Sequence, residues 1–229
     1  MSVYICRHSD RQSTHPLSAL SAAGRMHAIA LGRELGENGV HEPYILSSVY
    51  ERCLETATAI SRMVGRGPIF VEFGLSEGPV QEMPTNTSLF QIQKKFPLVD
   101  RLYKSITPPP LAEYTQRDVL PRCVEMGRFV SDLYQNSPHK TDIVVVTHGT
   151  VAFGMVAAMT QQKHESLDDA LKKVHGCVAA GYYRLVPCEQ TTHGLTWLTD
   201  FQCHTSKITV SSQDSSAAST PVCFIPGPA

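Results

Sequence analysis

The chain reads as a single α/β domain, a three-layer sandwich with helices on both faces of a mostly parallel sheet. Three observations lead there. Short apolar runs rich in β-branched residues alternate with longer stretches of helical periodicity, the pattern of strand–helix–strand units. The strongest run, Ile143-Val144-Val145-Val146, is apolar at every position, as in a strand buried on both faces. The runs also end in polar, often cationic residues, where open α/β sheets place their ligand sites.

The first run, residues 3–6, is followed by Arg7-His8-Ser9-Asp10-Arg11. A helix over 19–37 carries Leu20, Ala23, Ala28, Leu31 and Leu35 at helical spacing, with Gly36 and Gly39 near its end. The second strand, 44–46, runs into Ser47-Ser48, either of which would cap a helix over 50–64. The third strand is 69–71, and the fourth is 143–146, ending in Thr147-His148-Gly149 at the head of a helix over 150–160. A helix over 118–135 has Pro121 in or just before its first turn. Residues 178–186 and 195–201 read as strands extending one side of the sheet. Residues 74–117, with Pro79, Pro84, Pro97 and Pro108-Pro109-Pro110, read as a partly helical lid with a short helix over 88–96. The domain is expected to span 1–205, followed by a Ser/Thr/Pro-rich tail over 206–229.

The 229 residues contain 20 Lys and Arg against 21 Asp and Glu, for a net charge of −1. That balance argues against a protein that coats nucleic acid, so no nucleic-acid partner is expected. The N-terminus has no secretory pattern and no run reaches membrane-spanning length, so no membrane partner is expected. Seven scattered cysteines without a C-x-x-C pair suggest reduced thiols and a cytoplasmic setting.

Three clusters carry chemistry. Arg7, His8 and Arg11 at the first strand tip form an anion site, because guanidinium forks match phosphate oxygens. An imidazole there becomes a nucleophile toward phosphorus once its other nitrogen is held. His148 stands at a helix start, where free N–H groups favour an anion. Arg52 in the first turn of its helix opposes the macrodipole, a locally unfavourable choice that phosphate binding explains. Three cationic tips in a chain of net charge −1 imply a concentrated positive pocket for a phosphoryl group.

These blocks resemble the histidine phosphatase superfamily, the phosphoglycerate mutase-like proteins. Arg7-His8 is similar to its R-H-G motif, Pro16-Leu17-Ser18 with Gly24 to P-L-T…G, and residues 47–57 to S-x-x-x-R-x-x-x-T-A. Val144-Val145-Val146-Thr147-His148-Gly149 is similar to the closing V-V-x-H-G block. Within the family, Arg7-His8-Ser9-Asp10-Arg11, 47–57 and Gly74-Leu75-Ser76-Glu77 resemble the phosphatase domain of the suppressor of T-cell receptor signalling proteins, without the binding modules that precede it there.

The resemblance implies His8 as the phosphorylated nucleophile, with Arg7, Arg11, Arg52 and His148 on the phosphate. It implies Glu77 as general acid and then base, with Glu82, Glu72 and Asp10 as rivals. Ser9 replaces the motif glycine, and Glu77-Gly78-Pro79 lacks the aromatic usual after the acid. The expected function is a metal-independent phosphatase acting on phosphate monoesters, with no cofactor. Leu89, Phe90, Phe96, Leu98, Leu102 and Tyr103 in the lid suit a bulky or aromatic ester such as phosphotyrosine. A phosphoglycerate mutase activity and a weakly active binding or scaffold protein are the alternatives, and a sheet-edge homodimer is implied by resemblance.

Other chemistries lack their residues. No cysteine has an arginine six positions on, and Cys177 with Arg184 misses by one. His164-Glu165 has no histidine at 168, and no Walker loop, G-x-G-x-x-G or G-x-S-x-G occurs.

Overall fold

Strand β1 (Val3–Arg7) lies beside β4 (Ile143–Thr147), and β4 lies beside β2 (Tyr44–Ser47), all parallel. The computed structural model describes residues 1–15, 17–77, 89–107, 119–137, 141–161, 166–191, 194–199 and 204–205. The expectations for the tail, for residues 78–88 and 108–117 of the lid, and for Glu82 fall outside them. Strand β3 (Ile69–Val71) pairs parallel with β2. Past β1 the sheet turns antiparallel, with β5 (Gly181–Thr191), β6 (Gly194–Leu198) and a short β7 (His204–Thr205). The order is β3-β2-β4-β1-β5-β6, with β7 on β5.

The sheet is therefore mixed: a parallel block of four strands carries an antiparallel extension. The reason lies in where β5 begins. Cys177 O accepts from Arg7, and Ala180 N donates to His8 O, so the chain enters β5 at the carboxyl end of β1 and runs back along it. Helix α6 (Leu167–Lys173), absent from the sequence expectation, intervenes between α5 (Gly149–Thr160) and that entry.

Helices α1 (Ala22–Glu37) and α2 (Glu51–Met63) share one face of the sheet. The other face carries α4 (Val119–Asn136), α5 and α6. Right-handed crossovers demand this division. From β1 to β2 to β3 the chain crosses the sheet in one direction; from β3 to β4 it returns, and the connecting helix changes face. A short α3 (Leu89–Lys95) matches the expected lid helix, and its Ile92 joins the α1/α2 core.

Period-2 alternation serves both cores. Tyr4, Cys6, Val144 and Val146 point toward α1 and α2, while Val3, Ile5, Ile143 and Val145 point toward α4 and α5. Every one is essentially buried, at roughly 1.5–3 kcal/mol for each large aliphatic side chain.

Two helix starts differ from expectation. Helix α1 begins at Ala22 rather than near 19, because Ser21 Oγ accepts from Gly24 N and the preceding residues bridge back, Gln12 N to Ala19 O. Helix α2 is capped by neither Ser47 nor Ser48. Its N-cap is Tyr50, without a side-chain cap bond, and the two serines turn elsewhere.

Candidate active site

The parallel block puts four strand ends on one edge of the sheet, and each delivers one polar side chain. His8 follows β1, His148 follows β4, Arg52 enters from the first turn of α2 after β2, and Glu77 follows a 3-10 turn (Phe73–Leu75) after β3. No two of them are close in sequence except through this strand order.

His8 is 5 % exposed. Its Nδ1 lies 2.7 Å from Ser9 O, so Nδ1 carries the proton and donates. That leaves a lone pair on Nε2, which accepts from Arg52 Nε at 3.1 Å. Burial, then the charges of His148 and Arg52, push the His8 imidazole well below 6.5. At neutral pH it is a neutral base with one nitrogen anchored and the other facing a guanidinium.

Arg52 is 2 % exposed. Its Nη2 lies 3.0 Å from His148 Nδ1 and 3.5 Å from Glu77 Oε2, and its Cζ sits 4.5 Å from the Tyr50 ring centroid. His148 is fully buried, its Nε2 3.0 Å from Ser48 Oγ, and its ring meets His8 and Tyr50 edge-on. Burial lowers His148, and the Glu77 hydrogen bond offsets part of that. Arg7 Nη1 donates to Cys177 O at 2.7 Å, while its buried Nε has no partner among the described residues. A Cβ on Gly149 would crowd that guanidinium at 3.3 Å, so the glycine after His148 makes room for Arg7.

Glu77 has a side chain 41 % exposed, with Oε2 3.3 Å from His148 Nδ1. Burial works to raise its carboxyl. The hydrogen bond and charge of His148, with His8 and Arg52 beyond, outweigh it and hold the pKa at about 2. The arrangement is one anchored imidazole, two guanidiniums, a second imidazole and one half-exposed carboxylate, converging from four strand ends.

The model of the histidine phosphatase superfamily (branch 1) matches residues 3–181. The chain belongs to that superfamily. No curated protein matches. Among solved structures, the superfamily fold recurs in a mycobacterial glucosyl-3-phosphoglycerate phosphatase, at 20 % identity and TM-score 0.61, over 90 % of this chain and 98 % of that one. The same enzyme with inorganic phosphate is 21 % identical at TM-score 0.62, over 91 % and 99 %. The Bombix mori ecdysone phosphate phosphatase with tungstate is 16 % identical at TM-score 0.68, over 93 % and 97 %.

For this superfamily member, the residues expected from sequence divide cleanly. Arg7, His8, Arg52, Glu77 and His148 come together. Arg11 shows no such contact: it is exposed, its backbone bridges to Leu20, and no side-chain bond among the described residues joins it to the cluster. Gly24 has a steric role, since a Cβ there would overlap Asp10 O and push that loop away.

The rival acids face elsewhere. Asp10 pairs with His27 at 3.0 Å. Glu72 is fully buried and accepts from Gly74 N, Tyr103 Oη, Ser105 Oγ, Ile106 N and Thr107 N, which makes it the clamp of the segment after α3. Several lid apolar residues are likewise taken up. Phe96, Leu98 and Tyr103 pack against the two cores, leaving Phe90 and Leu102 exposed.

Sequence reasoning missed Ser48 as the partner of His148, Tyr50 as the face under Arg52, and Thr56. Thr56 Oγ1 accepts from Ser9 N and donates to Arg52 O, tying the His8 loop to the α2 helix. Ser48 and Thr56 lie in the motif block itself, so their position was legible while their partners were not. Cys53 lies 3.6 Å from His148 Nε2, but burial pushes its thiol up to about 12, too high for a thiolate nucleophile.

Proposed function

We propose that the protein is a metal-independent phosphatase that hydrolyses phosphate monoesters through a phosphohistidine at His8. The observation that carries this is the His8 geometry, with Nδ1–H held by Ser9 O and the Nε2 lone pair turned toward Arg52. An arriving phosphoryl group takes over the Arg52 donors and the free Nε donor of Arg7, with His148 beside them. Arg11, exposed on the loop after His8, is the outer ligand in this reading. Nε2 then attacks phosphorus and the ester P–O bond breaks. Fixed cations offset the charge that develops on the phosphoryl oxygens.

Glu77 protonates the leaving oxygen. A carboxyl held near 2 is ionised in the free site, and a phosphate dianion alongside raises it toward the protonated form that donates. In the second step the Glu77 carboxylate takes a proton from water. The water oxygen attacks phosphorus, the N–P bond breaks, and inorganic phosphate leaves.

Aryl esters, phosphotyrosine among them, are the preferred substrates in this reading. It follows the resemblance of Arg7-His8-Ser9-Asp10-Arg11, 47–57 and Gly74-Leu75-Ser76-Glu77 to the suppressor of T-cell receptor signalling phosphatase domains. The solved neighbours, phosphatases named for glucosyl-3-phosphoglycerate and ecdysone phosphate, support a phosphate monoester as the substrate class. A cytoplasmic setting accords with Cys53 and Cys123, buried thiols without a disulfide among the described residues. No helix among those residues is long and apolar enough to cross a membrane.

The test is p-nitrophenyl phosphate hydrolysis in EDTA. His8→Ala is expected to lose roughly a thousandfold or more, and Glu77→Ala roughly a hundredfold or more. A second reading, a binding protein with vestigial chemistry, draws on the buried Ser9 Oγ, unpartnered among the described residues, where the motif has glycine. Vanadate binding with no turnover between pH 5 and 8 would select it.

A further inference from the structure

Two successive carbonyls just before Glu77 are held from opposite sides. Leu75 O accepts from Thr147 Oγ1 at 2.7 Å, and Thr147 is the last residue of β4, adjacent to His148. Ser76 O accepts from Arg122 Nη2 at 2.7 Å, and Arg122, on α4, is 5 % exposed. Upstream the turn has no slack. Ser76 N donates to Phe73 O at 3.1 Å, and a Cβ on Gly74 would collide with Met126 and Thr107.

Glu77 itself is held at longer reach, 3.5 Å from Arg52 Nη2 and 3.3 Å from His148 Nδ1. Its aim is therefore set by the peptide that precedes it. A general acid must meet the leaving oxygen within hydrogen-bond reach, and a displacement of about 1 Å costs on the order of a hundredfold. A guanidinium buried at a backbone carbonyl makes a charge-assisted bond, stronger than a neutral one.

We propose that Arg122 is a positioning residue for Glu77, anchoring the Ser76 carbonyl on the α4 side while Thr147 anchors the Leu75 carbonyl on the β4 side. In this role Arg122 acts through the backbone ahead of the acid. The inference rests on the reading of Glu77 as the proton donor.

That role has a signature that a purely structural arginine lacks. An alkyl leaving group needs its proton far more than p-nitrophenolate does. Arg122→Met, with β-glycerophosphate and p-nitrophenyl phosphate as the two substrates, is expected to lower kcat/KM at least about tenfold on the alkyl ester and only about two- to threefold on the aryl ester. Vanadate inhibition is expected to hold within about twofold, and Arg122→Lys to recover part of the alkyl activity. Glu77→Gln is expected to show the same selective loss, larger in size.

Equal losses on both esters, or weakened vanadate binding, would overturn the proposal. If Arg122→Met does not fold, Thr147→Val tests the same aim through the other carbonyl, and an unchanged ester ratio there overturns it too. An unchanged ratio in Glu77→Gln removes the acid assignment and the positioning with it. A shifted ratio in Glu77→Gln but not in the Arg122 variants removes the positioning alone.

Discussion

His8 and His148 are kept neutral by burial, and that has a consequence for stability as well as chemistry. Both imidazoles lie below 6.5 in the folded protein, so between 6.5 and their lowered values the unfolded chain binds protons that the native one does not. Stability is then fully present above 6.5 and is lost as pH falls through that window. Glu77, held at about 2 against 4.5, adds a further loss at lower pH, in the same direction. The midpoint of thermal unfolding is expected to drop from pH 7 to pH 5. His8→Asn, followed by differential scanning calorimetry across that range, is expected to show a shallower slope. An unchanged slope would mean that His8 is not a buried neutral base. If His8 is the nucleophile as proposed, turnover is expected to persist below pH 6.5, since its imidazole stays unprotonated there.

Helix packing shows the same economy one level up. Where α1 crosses α2, a Cβ on Gly32 would lie 2.9 Å from Ile60 Cα, a backbone atom that cannot move aside. One turn further on, a Cβ on Gly36 would find its nearest neighbour, Met63 O, at 3.8 Å. Gly32→Ala is expected to destabilise by about 1–3 kcal/mol through overpacking. Gly36→Ala is expected to stabilise by about 0.4–1 kcal/mol through the unfolded chain's entropy and helix propensity. Urea denaturation of the two variants checks both, and opposite signs are the expected result. The pair matters for the site because α2 carries Arg52, and a shift of α1 against α2 moves that guanidinium relative to His8. The glycines were visible in the chain; which of them faces a backbone was not.

The whole molecule divides its stability unevenly. Strands β4 and β1 sit in the middle of the sheet order with helices on both faces, whereas β6 ends it. Amides of Ile5, Val145 and Val146 are expected to exchange only through global unfolding, and those of 194–198 through local opening at lower free energy. Native-state hydrogen exchange measures this directly, and uniform protection across β4 and β6 would contradict it. The candidate site is thereby built on the strands expected to be most stable, with Glu77 brought to it from the outermost parallel strand through a turn clamped by Glu72, Thr147 and Arg122.

The amino-acid sequence by itself determined the layers and the inventory of the site. An unbroken β-branched run, alternating periodicities and cationic strand tips are local signals, and they placed β1 to β4, α1, α2, α4, α5, His8, Arg52 and His148 within a few residues. Tertiary structure alone decided the rest, because it depends on which surfaces meet. The antiparallel return of β5 follows from where the chain re-enters the sheet at Cys177 and Ala180. Arg11 is left exposed, on a loop whose backbone bridges to Leu20. Glu72 and Glu77 are five residues apart and chemically alike. Only the path of the turn between them buries one under five donors and leaves the other half-exposed beside two histidines.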